Sequence, residues 1–357
     1  MNVAVVGAGI TGACIAWELA QSGWQVTLHE QGEAMRQTSS ASSKLLHGGL
    51  RYLEHGQFRL VREALQERQA WFRDAPQWAK PLQITLPIYR QSRRGQWLMG
   101  MGLTLYDALA IGSGLPRHRW LNRQQAMAND PYLRAEGLTG AYQFWDGQMD
   151  DYRLGLWVLE QAVQSGARLL QNTPVQTVAP NGQIRLSSDA TQRYDRIILA
   201  AGPWNEAILA RSRIASRYRL DRVRGSHIVL DRPTANAYLL EVPGEKRIVF
   251  ILPWHGQTLV GTTEERQESL ESPQASRQEI EYLLNAYNTY LAQPAGIHNI
   301  SQTFAGIRPL IKSADNPSDA SREYALEQSG QLMTIWGGKW TTSRALARKV
   351  KTQLENP

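Results

Sequence analysis

The chain has 357 residues, 42% hydrophobic and 20% charged, enough for one large domain or two smaller ones burying about 75% of the unfolded surface. That composition excludes a disordered chain, and the single cysteine, Cys14, excludes a disulfide scaffold. No run of about 18 apolar residues offers a spanning helix, and a net charge of +7 (39 Lys+Arg against 32 Asp+Glu) favours anionic partners: nucleic acid, an anionic membrane surface or a phosphorylated substrate.

Residues 2–7 carry no basic segment ahead of an apolar run, so no signal peptide and a cytoplasmic location are expected. Val3 to Val6 predict a strand, residues 7–12 a glycine turn, Ile10 to Gln21 a helix stopped by Gly23, and residues 24–30 a second strand. This βαβ opening implies a parallel sheet. Val61, Leu65 and Phe72 share one face of a helix over 58–73, and Leu154 and Val158 begin another closed by Gly166. Strands are predicted at 194–202 and 225–230. A hairpin joins 247–254 to 257–263 through His255-Gly256. Ser276 and Glu279 form a capping box ahead of Ile280, Leu283, Leu284, Tyr287 and Leu291, and a last helix follows Thr341.

The fold class expected is α/β: a nucleotide-binding, Rossmann-like domain built from discontinuous segments, with an inserted α+β substrate domain containing an antiparallel sheet. The nucleotide-binding segments are expected at 1–80, 142–215 and 301–357, and the inserted domain at 81–141 and 216–300.

Gly7-Ala8-Gly9-Ile10-Thr11-Gly12 is a G-x-G-x-x-G fingerprint in its proper setting, after a strand and opening a helix. Gly7 permits the tight turn, Gly9 lets backbone approach a pyrophosphate, and Gly12 lets helix and strand pack closely. The helix N-terminus offers N–H groups and partial positive charge. Glu30, closing the second strand, suits a ribose diol.

Three later segments distinguish a flavin from a nicotinamide dinucleotide. Residues 38–52 (TSSASSKLLHGGLRY) bring small hydroxyl residues and glycines together, among them Ser42, Ser43, Lys44, Leu46, His47, Gly48, Gly49 and Leu50. A buried strand ends in Ala201-Gly202-Pro203-Trp204. Trp336 to Thr342 read as strand, glycine turn and helix start, with Gly338, Lys339, Trp340 and Thr341 placed to meet a ring edge. Each alone suits a structural loop; together they resemble a flavoprotein.

The run SSASSKLLHGGLRYLEHGQFRLVREALQER (39–68) is similar to the FAD-contacting region of the FAD-dependent glycerol-3-phosphate dehydrogenase family, within the D-amino-acid-oxidase-like superfamily. GPWN (202–205), RGSHIVL (224–230), RIVFILPW (247–254), GTTEE (261–265), FAGIRPL (304–310), SREYAL (321–326) and GGKWTTSRALA (337–347) follow in that family's order. The resemblance implies oxidation of sn-glycerol 3-phosphate to dihydroxyacetone phosphate, with hydride passing from C2 to flavin N5 and electrons to a quinone. Arg51 and Tyr52 would lie at the substrate side of the flavin. Arg308, Arg322 and Lys339 would complete a cationic pocket with His227 beside it, and Gly306 would lie at the cofactor. FAD is expected to be held non-covalently.

The chemistry of these residue types agrees: Arg forks hold a phosphate dianion, and a neutral His can take the proton of a secondary alcohol. Arg308 could equally pair with an internal carboxylate, and His227 could be a hydrogen-bonded core residue. The resemblance also has departures. The family usually continues into a C-terminal helical domain, whereas this sequence stops at Pro357; FAD binding is expected to survive without it. Trp340 and Ser343 replace common Leu and Tyr, which leaves a related small anionic alcohol open as substrate. An amino-acid or secondary-amine oxidase and a flavin-binding protein without turnover are the alternatives.

Arg90, Arg93 and Arg94 precede Trp97, Leu98, Met99, Met101, Leu103, Leu105 and Leu109, with Arg117 and Arg119 beyond. A basic cluster bracketing an apolar stretch over 90–119 suits a helix lying on anionic lipid, at the inner face of the cytoplasmic membrane; a core helix is the alternative. Nucleic acid is not an expected partner, since the arginines are spread over flavoprotein motifs.

Overall fold

Val3, Ala4 and Val5 are fully buried, as are Ile197, Ile198 and Leu199, so both faces of their strands must be covered, and a parallel sheet between layers does that. The computed structural model describes residues 1–312 and 324–356. Its helices in chain order are α1 (Ile10–Gln21), α2 (Phe58–Asp74), α3 (Gln96–Leu109), α4 (Arg123–Asn129), α5 (Asp151–Gln164), α6 (Asn205–Arg211), α7 (Arg277–Tyr290) and α8 (Ser343–Glu355).

The first sheet runs in the order Tyr324–Ser329, Leu332–Gly337, Arg196–Leu199, Asn2–Val6, Gln25–His29, Arg168–Leu170. All its pairings are parallel except the hairpin at the Tyr324–Ser329 edge. Helix α1 packs between this sheet, α5 and α8, burying Ile15 and Leu19 with Val158 of α5 and Val350 of α8. Each such side chain contributes roughly 1.5–3 kcal/mol relative to exposure. Asn205, at the start of α6, ties two strand ends together: its Oδ1 accepts the Ala201 N–H at 2.9 Å and its Nδ2 donates to Ile335 O at 2.6 Å.

A larger sheet runs in the order Glu265–Arg266, Leu220–Leu230, Gln257–Gly261, Ile248–Trp254, Ala237–Glu241, Ala79–Tyr89, Leu138–Met149, Leu45–Leu46. It is antiparallel apart from the parallel pair Ala237–Glu241 with Ala79–Tyr89. The predicted hairpin turn holds: His255 (φ 47°) and Gly256 (φ 78°) are both left-handed, as a two-residue turn matched to strand twist requires. The capping box on α7 also forms, with Ser276 Oγ accepting the Glu279 N–H and Glu279 Oε2 accepting the Ser276 N–H. Residues 175–193 add a small antiparallel three-stranded sheet.

The expected segment limits need correction. Leu138–Met149 pairs along its length with Ala79–Tyr89, so limits at 80/81 and 141/142 cut through one strand pair. Ile300–Ile311 pairs with Leu220–Leu230, so residues 301–311 lie in the antiparallel sheet rather than with the nucleotide-binding segment. Pairing partners this far apart in sequence leave no local mark of where one unit ends.

Candidate active site

The glycine turn is shaped by contacts that exclude side chains. A Cβ on Gly12 would lie 1.9 Å from Gly7 O, which is the close helix–turn approach the fingerprint anticipates. Gly7 has φ +104°, and a Cβ there would lie 2.7 Å from Ala200 O. Helix α1 has no side-chain cap of its own; instead Ser39 Oγ accepts the Ile10 N–H at 2.9 Å. The Trp340 indole N–H donates to Ser39 O at 2.9 Å, so one serine joins the opening turn to the closing one. Glu30, one residue beyond its strand, accepts the Ala8 N–H at 2.8 Å and the Gly32 N–H at 3.1 Å. These bonds fix its carboxylate at the turn.

These residues line a cavity of about 480 Å³, within the range of small-molecule sites. Gly7, Gly9, Ile10, Thr11 and Glu30 contribute to its wall, as do Ser42, Ser43, His47, Gly49 and Leu50 of the second segment. Ala201, Gly202 and Trp204, then Gly306, and finally Gly338, Lys339, Trp340 and Thr341 complete the expected set. Arg51, Tyr52, His227 and Arg308 line the same cavity. Arg322 lies outside the described residues.

Four expected contacts do not reach the wall. Gly12 sits behind the turn. Leu46 is fully buried in the core with Trp71 and Met149. The Gly48 amide is turned toward Tyr106 and Asp146. Lys44 points inward, its Nζ donating to Asp151 Oδ1 and to Ser40 O, each at 2.7 Å, because a buried ammonium needs a counter-charge and Asp151 supplies it. Asp151 also accepts the Ser42 N–H and hydroxyl, so it anchors the whole 42–44 turn.

His227 is 2% exposed, stacked on Phe304 at 4.7 Å, with Nε2 hydrogen-bonded to Ser43 Oγ at 3.0 Å. Burial first, then the nearby Lys44 and Arg308 charges, hold its imidazole well below the usual range, so the ring is neutral at neutral pH. Arg308 Nη2 donates to Thr263 O at 2.8 Å and Thr262 Oγ1 at 3.2 Å, and its Nη1 lies 3.4 Å from Glu264. The internal carboxylate is thus real, and it lines the cavity too. Lys339 Nζ sits 3.7 Å over the Tyr52 ring, a cation–π contact that orients the ammonium. Ser39, Asp151, Thr262 and Glu264 were not anticipated as site residues; Ser39 lay in the marked 38–52 segment and Thr262 and Glu264 in the GTTEE motif, whereas nothing marked Asp151.

FAD fits these residues. The glycine cradle has no room for Cβ atoms, and the Nδ1 atoms of His29 and His227 are buried at the cavity without a hydrogen-bond partner among the described residues, as acceptors awaiting a ligand would be. Cys14 faces away, its Sγ 3.3 Å from Ser343 Oγ and its thiol pushed up to about 12 by burial.

A dinucleotide cradle opening onto a cationic, half-enclosed chamber defines a flavoprotein oxidoreductase. The FAD dependent oxidoreductase family matches residues 2–344, and the chain belongs to it. FAD is therefore its cofactor and redox chemistry its class of activity. Over 99% of its length it is 37% identical to the D-erythritol 1-phosphate dehydrogenase of Brucella abortus, covering 73% of that protein. It is likewise 37% identical to the glycerol-3-phosphate dehydrogenase of Pseudomonas aeruginosa, covering 71%. Among solved structures, the Bacillus halodurans glycerol-3-phosphate dehydrogenase complexed with FAD superposes with a TM-score of 0.80 at 26% identity, over all of this chain and 64% of that one. A glycine oxidase from Geobacillus kaustophilus shares the fold at TM-score 0.78 and 20% identity.

Proposed function

We propose that the protein oxidises the secondary hydroxyl of a small phosphorylated polyol, sn-glycerol 3-phosphate first among them, and passes the electrons to a quinone. The observation that carries this reading is that Arg51, Arg308 and Lys339 line the same cavity as a neutral His227. The names of the similar proteins support it, since both relatives act on phosphorylated polyols.

Bound FAD supplies the two-electron acceptor, held by the 7–12 turn, Glu30, the 42–50 segment and the 338–341 turn. Arg308 receives the phosphate, its guanidinium aimed by Thr262 and Thr263. Lys339, braced on Tyr52, adds a second positive charge for the dianion. His227 accepts the substrate hydroxyl proton; burial first, then Lys44 and Arg308, keep the ring unprotonated beforehand, and Ser43 fixes its orientation. Glu264 beside Arg308 offsets the positive charge near the phosphate site.

Helix α3 supports a lipid-facing role. Trp97 (85% exposed), Leu98 and Met101 form an uncovered apolar face, while Leu103 and Tyr106 face inward. The arginine bracket is narrower than expected. Arg94 is ion-paired to Glu54 and Glu241 beneath the helix, which leaves Arg90, Arg93, Arg117 and Arg119 at the surface. No helix among the described residues is long and apolar enough to cross a membrane.

Anaerobic titration of the holoenzyme tests the reading. Glycerol 3-phosphate or erythritol 1-phosphate should bleach the flavin absorbance, and Arg308→Ala should slow bleaching by roughly 100-fold at limiting substrate, as loss of a charged hydrogen-bonding partner costs about 3 kcal/mol. Bleaching by an amino acid instead would move the enzyme to the amine oxidases, and bleaching by neither would make it a binding protein.

A further inference from the structure

The segment 47–49 is held from behind by a buried polar relay that the proposed chemistry does not use. Gly48 N–H donates to Tyr106 Oη at 2.8 Å, with a longer contact of 3.2 Å to Asp146 Oδ1. Tyr106 Oη donates in turn to Asp146 Oδ2 at 2.9 Å, and Arg68 Nη1 donates to Asp146 Oδ1 at 2.7 Å. Arg68 and Tyr106 are 1% exposed and Asp146, which also lines the cavity, is 3% exposed, so the relay is largely shielded from bulk water. The backbone has no slack there: a Cβ on Gly48 would lie 2.5 Å from both Tyr106 Oη and Leu65 Cδ2. His47 and Gly49, on either side, line the cavity.

We propose that Tyr106 is a positioning residue for the flavin: its hydroxyl, carried on α3, holds the Gly48 amide and thereby sets the His47–Gly49 backbone against the cofactor. The inference rests on the placement of the flavin beside residues 42–50. Arg68 pairs with Asp146 through Oδ1, which leaves Oδ2 to accept the phenolic proton of Tyr106. The phenolic oxygen then presents its lone pairs to Gly48. Without that oxygen, the Gly48 amide keeps only the 3.2 Å contact, Asp146 Oδ2 loses its donor, and the segment relaxes toward the cavity.

The test compares Tyr106→Phe with Leu103→Ala in FAD-loaded protein. Leu103 is the other fully buried inward residue of α3, and its side chain is apolar. Visible circular dichroism of the bound flavin, kcat, KM and melting temperature are read for both. Tyr106→Phe should alter the flavin dichroism and lower kcat roughly 10-fold at unchanged KM, because the cationic residues stay in place. Leu103→Ala should lower only the melting temperature. If Tyr106→Phe alters melting alone, or both variants change the flavin signal alike, Tyr106 is merely a packing residue and the proposal is overturned. His47→Ala separates the two levels of the argument. A changed flavin signal there, beside a silent Tyr106→Phe, leaves the flavin placement standing. Silence in both removes the placement and the proposal together.

Discussion

His29 and His227 are imidazoles buried on the cavity wall, and both rings are held neutral. For His29, burial and then the Arg168 charge lower the pKa from 6.5 to about 4. In the unfolded chain the ring takes up a proton near pH 6.5, whereas in the folded chain it does not until about pH 4. Below 6.5 the unfolded state therefore binds more protons, and stability falls as pH drops across that window, levelling off near the folded value. The ceiling on this loss is about 3 kcal/mol from His29 alone. Urea unfolding at about pH 7.5 and about pH 4.5 should show wild type losing clearly more stability than His29→Leu; equal losses would mean the ring is already solvated. At this scale a motif can single out a residue that the fold brings to the cavity, as with Arg308 in GIRPL and Lys339 in GGK, both of which line it. The sequence was silent on Asp151, whose partners Ser42 and Lys44 lie 109 and 107 positions away. Lys44 looked like a cofactor ligand because its neighbours Ser42 and Ser43 line the cavity; only the buried carboxylate reveals why it turns inward.

Helices were legible as elements because their signals are local. The Ser276–Glu279 spacing announces the start of α7, yet the same carboxylate also accepts Thr263 Oγ1 at 2.6 Å and Ser226 Oγ at 2.8 Å and pairs with Arg224 at 2.8 Å. Thus a helix cap also braces the 262–263 turn that aims Arg308, and spacing alone could not say so. Strands Ala79–Tyr89 and Leu138–Met149 were invisible for the opposite reason: Leu138–Met149 contains two glycines and little β-branched character, and becomes a strand through its partners. Helix α3 was ambiguous between core and surface, and it is both, with Leu103 and Tyr106 inside and Trp97 and Met101 outside. An interfacial helix of this kind binds through buried apolar area plus attraction to anionic headgroups. Sedimentation with vesicles containing phosphatidylglycerol should therefore capture the protein at low salt. Arg90→Glu with Arg93→Glu should reduce capture at least about 30-fold, from a loss of roughly 1 kcal/mol per arginine plus added repulsion. Capture indifferent to salt and to this double variant would remove the lipid-facing role. Arg94 is left intact because its ion pairs hold the helix to Glu54 and Glu241.

For the whole molecule, the cavity wall is drawn from both sheets, so the cofactor should act as a clamp between them. The first sheet supplies the 7–12 and 338–341 turns, and the second supplies His227, Gly306 and Arg308. The two sides already meet without the cofactor's help: Thr38 Oγ1 donates to Ile307 O at 2.8 Å, and a Cβ on Gly306 would lie 2.8 Å from Ala41 Cβ and 3.0 Å from Ala41 O. A ligand that binds only the folded state adds about 2.7 kcal/mol at 100 times its dissociation constant, equivalent to roughly 4 °C in melting temperature for a chain of this size. Removing FAD should lower the melting temperature by about that amount. Gly306→Ala distinguishes a shared clamp from a site confined to the nucleotide-binding sheet. The added methyl has to push the antiparallel strand away from residues 38–42, which costs about 1–3 kcal/mol in any well-packed region. If the cofactor bridges both sheets, the displacement also weakens FAD binding, and the gap between holo and apo melting temperatures narrows. If it rests on the first sheet alone, both temperatures fall together and the gap is preserved. A narrowed gap, with FAD affinity reduced about 10-fold, is the expected result.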